Sequence, residues 1–393
     1  AGTGRPGPVL IDIPMDVQKS VIDFEYPEKC EIRSYKPTTK GNYVQVRRVM
    51  AALEEAEKPL ICIGGGVFAA HAENEIRELA DLMQIPVITT MMGISVFPDD
   101  DQLFCGMIGT HGVKMANAAV NECDVLFLVG ARVGDRAVKT PLALEKTTKI
   151  IHIDIDPAEI GKNIGADLPL VGDAKLVLQQ MTELAKPMKH DEWIAHIKTL
   201  GGERKYVEPA KGTVNPRVFI DRLAKKMPAN VTVVADVGQN QIWTCTEYKF
   251  RKEGRLLTSG GMGTMGYSVP AAIGAKMADN SRATVAICGD GAFQMSFMEL
   301  ATAIQFGVDI KVVVMTNNRL GMVRELQTNG YHDRQTAVFL DGSPDFIKLA
   351  EAYGIPAMRV YDDDTMEKGI EMLAEHKGIC LVEVVVDKDM PTL

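Results

Sequence analysis

Short apolar runs recur along the chain, and between them the apolar positions open out to a spacing of three and four. A short apolar run bounded by glycine, proline or acidic residues predicts a strand buried on both faces, and the wider spacing predicts an amphipathic helix. In the first half, strands are predicted over 60–63, 86–89, 124–129 and 150–154. The first ends in Gly64-Gly65-Gly66 and precedes a helical pattern from about His71 to Met83; a short helix precedes the third; the fourth runs into Pro157 and another helix, and a helix over 174–184 closes the block. The segment 186–213 is charged, contains Gly201-Gly202 and Pro209, and reads as a connector with one short amphipathic helix around Trp193. A second block opens at Asn215-Pro216, an N-cap followed by proline in the first helical position. Its strands are predicted over 231–235, 283–288, 310–316, 358–360 and 379–386. Strands alternating with helices predict α/β architecture with parallel sheets. The expected organisation is two doubly wound parallel-sheet domains, over 36–186 and 215–393, joined by a linker over 187–214 and preceded by a stub of a third domain over 1–35.

The stub opens at Ala1 on Gly2, Gly4, Pro6 and Gly7 and runs into an apolar stretch over 9–13, expected to be a buried strand. A strand needs neighbours, and residues 389–393 follow directly on another strand, so both ends read as cut and the chain as a fragment of a longer protein.

Composition narrows the class. Hydrophobic residues are 46% and charged residues 24% of 393, which supports a sizeable core and excludes wholesale disorder. Lys and Arg total 43 against 52 Asp and Glu, a net charge of −9 that argues against a nucleic-acid or membrane-surface partner. No apolar stretch approaches the ~20 residues of a membrane span. Seven scattered cysteines without a C-x-x-C pair suit a reduced, cytoplasmic chain without a disulfide framework or structural zinc. Histidines 71, 190, 196 and 376 and the acidic run Asp99-Asp100-Asp101 read as solvated or connector residues.

The most informative stretch is 283–327. One strand ends at Gly289-Asp290-Gly291 and the next at Asn317-Asn318, with a helix over about 296–306 between them. In a βαβ unit both strands are parallel and finish at one sheet edge, where ligands bind. Asp290 and Asn317 are therefore expected to meet although 27 positions apart. A carboxylate beside an amide oxygen suits Mg²⁺, and so charge-poor a site is usually completed by phosphate oxygens. Flanking glycines let a phosphate approach the backbone. Taken singly, each half also reads as an ordinary strand-ending turn.

Gly289-Asp290-Gly291, an interval over 292–316 and then Asn317-Asn318 resemble the signature of thiamine diphosphate enzymes. The runs Gly261-Met262-Gly263-Thr264-Met265-Gly266-Tyr267 and Pro270-Ala271-Ala272-Ile273-Gly274-Ala275 resemble acetolactate (acetohydroxyacid) synthase large subunits. So do Asp236-Val237-Gly238-Gln239, Gly321-Met322-Val323 and Gly4-Arg5-Pro6-Gly7-Pro8-Val9-Leu10. That resemblance implies Asp290, Asn317 and the carbonyl of Arg319 as Mg²⁺ ligands. Gly238, Gln239, Asn240, Gly263, Gly289, Gly291, Ala292, Leu320, Gly321 and Met322 would hold thiamine diphosphate. Met265 would sit beneath the bent cofactor and, with Gln239, take part in catalysis. Leu326, Met322 and Val323 would wall the substrate pocket.

In the middle domain, Gly64-Gly65-Gly66 alone reads as a tight turn or a weak nucleotide signal. The resemblance adds His111-Gly112, Gly130-Ala131-Arg132, Asp135-Arg136 and the 152–157 run. It implies FAD held by Gly64, Gly65, Gly66, His111, Arg132, Arg136, Asp154, Ile155 and Asp173. The family also carries a glutamate in a pyrimidine-binding domain that precedes the strand at 9–13, a domain this chain does not include. Four departures stand out: Asn240 where relatives usually have His, Leu326 for Trp, Met15 for Lys and Thr110 for Met. All four fall around the expected substrate pocket, leave the Mg²⁺ and diphosphate positions intact and bear on substrate identity, and Leu326 implies a stronger preference for pyruvate over 2-oxobutyrate as acceptor.

The implied reaction decarboxylates pyruvate and condenses the remaining two-carbon unit with a second 2-oxo acid in branched-chain amino-acid biosynthesis. The implied assembly is a homodimer or tetramer, with a small regulatory subunit. Two alternatives stay open: another thiamine diphosphate carboligase or decarboxylase, and an inactive cofactor-binding fragment. A nicotinamide oxidoreductase fits worse, because Asp81 falls in a helical pattern and not at a strand end.

Overall fold

The computed structural model describes residues 1–30, 32–202 and 206–393. Two parallel six-stranded sheets carry the chain. The first is built from β1 (Pro59–Ile63), β2 (Val87–Thr89), β3 (Phe104–Met107), β4 (Val125–Val129), β5 (Lys149–Asp154) and β6 (Leu168–Val171), in the order β3-β2-β1-β4-β5-β6. The second is built from β7 (Thr232–Ala235), β8 (Arg255–Thr258), β9 (Thr284–Gly289), β10 (Lys311–Thr316), β11 (Ala357–Val360) and β12 (Cys380–Val385), in the order β11-β12-β10-β9-β7-β8. Every ladder between them is parallel. Helices cover both faces, so β1, β4 and β10 are buried at every position. Along β1 and β4 alternate residues feed two cores: Ile61, Ile63 and Phe127 join one, Leu60, Cys62 and Leu128 the other.

Three strands go beyond the sequence pattern, and all lie at or next to a sheet edge. β3 alternates buried and half-buried and contains Gly106, β6 carries Pro169, and β8 begins at Arg255. One-sided burial weakens the continuous apolar signal that marks a central strand.

Several expectations are corrected. Residues 155–167 form turns and no helix: Pro157, Gly161 and Gly165 punctuate them, and Asp156 Oδ1 caps Ala158 N–H at 2.9 Å. The predicted helix over 296–306 is a 3₁₀ turn, Phe297–Glu299, followed by the short helix Leu300–Gln305. The segment 187–214 is not a free connector. Its helix Asp191–Thr199 buries Trp193 and Ile197 in the middle-domain core, and Trp193 Nε1 donates to the Pro59 carbonyl at 3.0 Å. His190, expected in the connector, is buried with Nδ1 3.1 Å from the Met83 carbonyl. Residues 9–13 form no ladder among the described residues, and Val9, Leu10, Ile11 and Ile13 are exposed.

Asp99 is likewise no solvated loop residue. Its N–H donates to the Phe250 carbonyl and its carboxylate accepts from Phe250 N–H, both at 2.9 Å. Ser95 Oγ accepts from Leu256 N–H at 2.9 Å, and Arg255 pairs with Glu73 at 2.8 Å. These contacts tie the loop after β2 and the start of the helix Glu73–Met83 to β8 and the segment before it, and so join the two domains.

Candidate functional site

In the second sheet the strand order reverses between β7 and β9, which opens a crevice beyond their carboxyl ends. A cavity of about 120 Å³ lies there. Its walls are three strand-end segments: 237–240 after β7, 289–292 after β9, and 317 with 319–323 after β10; Trp243, Met265 and Met315 complete it. Gly238 leaves β7 at φ +149°, a conformation that L side chains rarely adopt, and a Cβ there would lie 2.5 Å from Asn240 Oδ1. The chain turns at once into the helix Gln239–Glu247, buried along its whole length.

Asp290 and Asn317 meet, as the βαβ geometry requires. Asp290 Oδ2 accepts from Asn318 N–H at 2.7 Å and Asn317 N–H at 3.2 Å, and Oδ1 accepts from Gly291 N–H at 2.8 Å. Asn318 sits at φ +53°, which directs its amide toward the carboxylate. Only 1% of Asp290 is exposed, and among the described residues no Lys, Arg or His forms an ion pair with it. Burial therefore pushes its pKa up to about 6 against the pull of the three amides. A buried carboxylate without a cationic partner, beside amide and backbone oxygens, fits a hard divalent cation. No cluster of three His, Cys, Asp or Glu forms a metal site among the described residues, so the remaining ligands of such a cation would be oxygens of another kind.

The neighbouring side chains are held by a dense set of bonds. Asp236 accepts from Gly266 N–H at 3.0 Å and Ser268 N–H at 2.8 Å, which anchors the loop that carries Met265 into the cavity. The Met265 methyl lies 3.5 Å from the point where a Cβ on Gly291 would stand. Asn240 Nδ2 donates to the carbonyls of Asp236 at 2.8 Å and Ile287 at 3.2 Å, so its Oδ1 stays toward Gly238 and Gly289.

A second cavity, of about 800 Å³, lies between the two sheets. The middle-domain positions Gly64, Gly65, Gly66, His111, Arg132, Arg136, Asp154, Ile155 and Asp173 all line it. From the other domain come Gln241, Ile242, Met322 and residues 259–263, which include Gly263; the stub adds Gly4, Arg5 and Pro6. A Cβ on Gly134, Gly261 or Gly263 would meet no atom within 4 Å, so these backbones face open space. Arg5 bridges Asp156 at 2.9 Å and Glu159 at 2.7 Å. Burial raises the pKa of Asp154, whose Oδ1 accepts from Asp156 N–H at 2.9 Å, and lowers that of His111. Asp173 also caps the helix Ala174–Thr182 by accepting from Leu176 N–H at 3.1 Å. The size, the three arginines and the glycine-lined walls fit an extended phosphate-bearing ligand.

Met322 lines both cavities, while Leu326 is 62% exposed and lines neither. The sequence reading passed over Trp243, Ile242 and residues 259–262 as site residues. It also passed over the segment 390–392, whose Met390 carbonyl and Thr392 hydroxyl receive Gln239 Nε2 at 2.9 and 3.1 Å. Ile242 and Trp243 carry a local signal, two large apolar residues on the helix directly after Gly238, and the segment 390–392 is joined by long-range contact.

Comparison with known proteins bears on both halves. Residues 236–384 match the thiamine pyrophosphate enzyme C-terminal TPP binding domain, and residues 46–181 match the central domain of the same enzymes. The probable acetolactate synthase large subunit of Methanocaldococcus jannaschii is 41% identical over 98% of this chain and 68% of its own length. The acetolactate synthase large subunit of Buchnera aphidicola is 37% identical over 94% of this chain and 66% of its own length. Acetolactate synthase isozyme 3 large subunit of Escherichia coli is 35% identical over 98% and 70%. The chain thus spans about two thirds of the length of these relatives. On these matches, the chain belongs to the acetolactate synthase large-subunit family of thiamine pyrophosphate enzymes.

Proposed function

We propose that this chain supplies the cofactor-gripping part of an acetolactate synthase catalytic subunit, which decarboxylates pyruvate and joins the two-carbon unit to a second 2-oxo acid. The observation that carries the reading is the buried, cation-less Asp290 beside Asn317 at the β7/β9 crevice. Mg²⁺ would be held by Asp290, Asn317 and the Arg319 carbonyl, and a diphosphate by the glycine-rich strand ends. Thiamine diphosphate supplies, when bound, the nucleophilic carbon and the electron sink for loss of CO₂. The chain's own part is to fix it. Asp236 holds the 263–268 loop so that Met265 packs on the cavity, and the buried helix from Gln239 excludes water behind it. Asp290 is the only carboxylate on the smaller cavity's wall among the described residues, so a glutamate that activates the cofactor would come from outside them.

The larger cavity would take FAD, with Arg132 near its phosphates or ribose and Asp154 and Ile155 toward its adenosine end. The chain would work in the cytoplasm; no described helix is long and apolar enough to cross a membrane. Met277, Met295, Met298, Ile304 and Phe306 are exposed around the helix Ser268–Ala278 and the segment after β9, an apolar face that supports a homo-oligomer. A small regulatory subunit would be a further partner.

The test measures acetolactate with saturating thiamine diphosphate, Mg²⁺ and FAD, for these 393 residues and for a chain extended upstream by about one domain. Turnover is expected only in the longer chain, and comparable turnover in both would refute an external glutamate. Denaturing the longer protein should release a yellow, fluorescent flavin. Colourless protein after FAD supplementation would rule FAD out.

A further inference from the structure

An amide offers a cation its oxygen and repels it with its nitrogen, so a ligand asparagine works only one way round. Asn317 is held one way round. Its Oδ1 accepts from Arg319 N–H at 3.0 Å, and its Nδ2 donates to Gln239 Oε1 at 3.2 Å. Gln239 is held in turn, with Nε2 directed at the Met390 carbonyl at 2.9 Å, the Thr392 hydroxyl at 3.1 Å and the Glu325 carboxylate at 3.3 Å.

Glu325 anchors this set. It accepts from Thr392 N–H at 3.1 Å and from the Thr392 hydroxyl, which commits the hydroxyl proton to the carboxylate. The hydroxyl oxygen is then left to accept from Gln239. Without Glu325 the hydroxyl is free to donate to a Gln239 turned end for end, and of the three acceptors only the Met390 carbonyl still opposes the turn. A turned Gln239 faces Asn317 with its nitrogen and draws the Asn317 oxygen toward itself. Gln239 and Thr392 are almost fully buried, so water replaces these partners poorly.

We propose that Glu325 is a positioning residue for the cation site: acting through Thr392 and Gln239, it sets the polarity of the Asn317 amide. The Asn317 oxygen then stays on the 317–319 turn, whose amides also hold Asp290 Oδ2. The inference rests on the proposed Mg²⁺ and thiamine diphosphate site and adds to it a residue that touches neither.

The experiment titrates Mg²⁺ at saturating thiamine diphosphate and follows the fluorescence of Trp243, which lines the same cavity. Glu325→Leu is expected to weaken Mg²⁺ roughly 10-fold, the usual cost of losing an outer partner of a metal ligand. Glu325→Gln keeps an accepting oxygen and should stay close to the unsubstituted chain. The thermal midpoint without ligands accompanies each titration, so that a loss of fold is seen separately. Unchanged Mg²⁺ affinity in Glu325→Leu would overturn the proposal, as would an equal loss in Glu325→Gln. If Glu325→Leu does not fold, Thr392→Val carries the same expectation, and unchanged Mg²⁺ affinity there overturns it. Asp290→Ala separates the two readings. Unchanged Mg²⁺ affinity in that variant removes the cation site itself, whereas a loss there without one in Glu325→Leu removes only the relay.

Discussion

The two cavities lie beside parallel sheets and both are approached by glycine-rich turns, yet the glycines do different work. At the end of β1 they serve the chain. A Cβ on Gly64 would stand 2.2 Å from the Gly130 carbonyl oxygen, and one on Gly66 2.6 Å from the Gly130 Cα. Backbone meets backbone there, and neither side can give way. At the end of β9 the glycines keep space open. A Cβ on Gly291 would come within 3.0 Å of Leu320 Cδ2 and 3.1 Å of Leu340 Cδ1, and one on Gly289 within 3.4 Å of Asn240 Oδ1. The two leucine ends can move, and 3.4 Å to Asn240 is ordinary contact. Identical letters at strand ends can therefore mean close packing in one place and ligand access in another.

The largest effect expected is on the smaller cavity, the one lined by Asp290. Asp290→Ala should take Mg²⁺-dependent thiamine diphosphate binding beyond the range of calorimetry and leave FAD binding unaltered. Unchanged thiamine diphosphate affinity would break the assignment. Next, Gly64→Ala should destabilise the chain by about 2–4 kcal/mol in urea unfolding, because a methyl is forced against fixed backbone. Gly291→Ala should cost under about 1 kcal/mol of stability and show its effect in cofactor affinity instead. Equal destabilisation by the two substitutions would erase the contrast drawn between the turns.

Two ionisable groups, one half-buried and one buried, extend the comparison to pH. Asp99, in the loop that ties the sheets together, has its pKa raised by burial to about 6, with Lys249 at 3.7 Å opposing the rise and Asp100 adding to it. In the window between the ordinary aspartate value and 6 the folded chain binds more protons than the unfolded one. Its contribution is thus full at low pH and lost as pH rises through 6. Asp99→Asn should accordingly gain about 1–2 kcal/mol at pH 8 and little at pH 4, read from urea midpoints at both pH values. A loss at pH 8 would mean that the Lys249 pair outweighs burial.

His152, on β5, behaves in the opposite sense. It is 1% exposed, and burial lowers its pKa against the pull of Asp154 and of a backbone bond at Ala131. The unfolded chain then binds more protons below the ordinary histidine value, so stability falls as pH drops beneath it. His152→Leu should blunt that acid loss by about 1 kcal/mol. An identical acid limb in the variant would show that other groups set it.

Much of the fold was legible because central strands of a parallel sheet are buried on both faces and so write continuous apolar runs, as in β1, β4 and β10. The meeting of Asp290 and Asn317 was legible for a related reason: a βαβ unit leaves its two strand ends at one edge, whatever the helix between them contains. The edge strands β3, β6 and β8 were not, since one-sided burial admits Gly106, Pro169 and Arg255.

Sequence by itself thus determined the two-sheet architecture, the meeting of Asp290 and Asn317 and the family. Tertiary structure alone decided that Trp193 belongs to the middle-domain core, that Asp99 is bonded to Phe250, and that residues 259–263 help wall the cavity between the two sheets. It also decided that Gln239 is held by Glu325 and by residues more than 150 positions away. The physical reason is the range of the interactions. Periodicity and turn chemistry act between neighbours along the chain, and so leave their mark in the order of residues. An interdomain hydrogen bond or a buried amide's orientation is set by groups distant in sequence, and which groups meet depends on how the sheets pack.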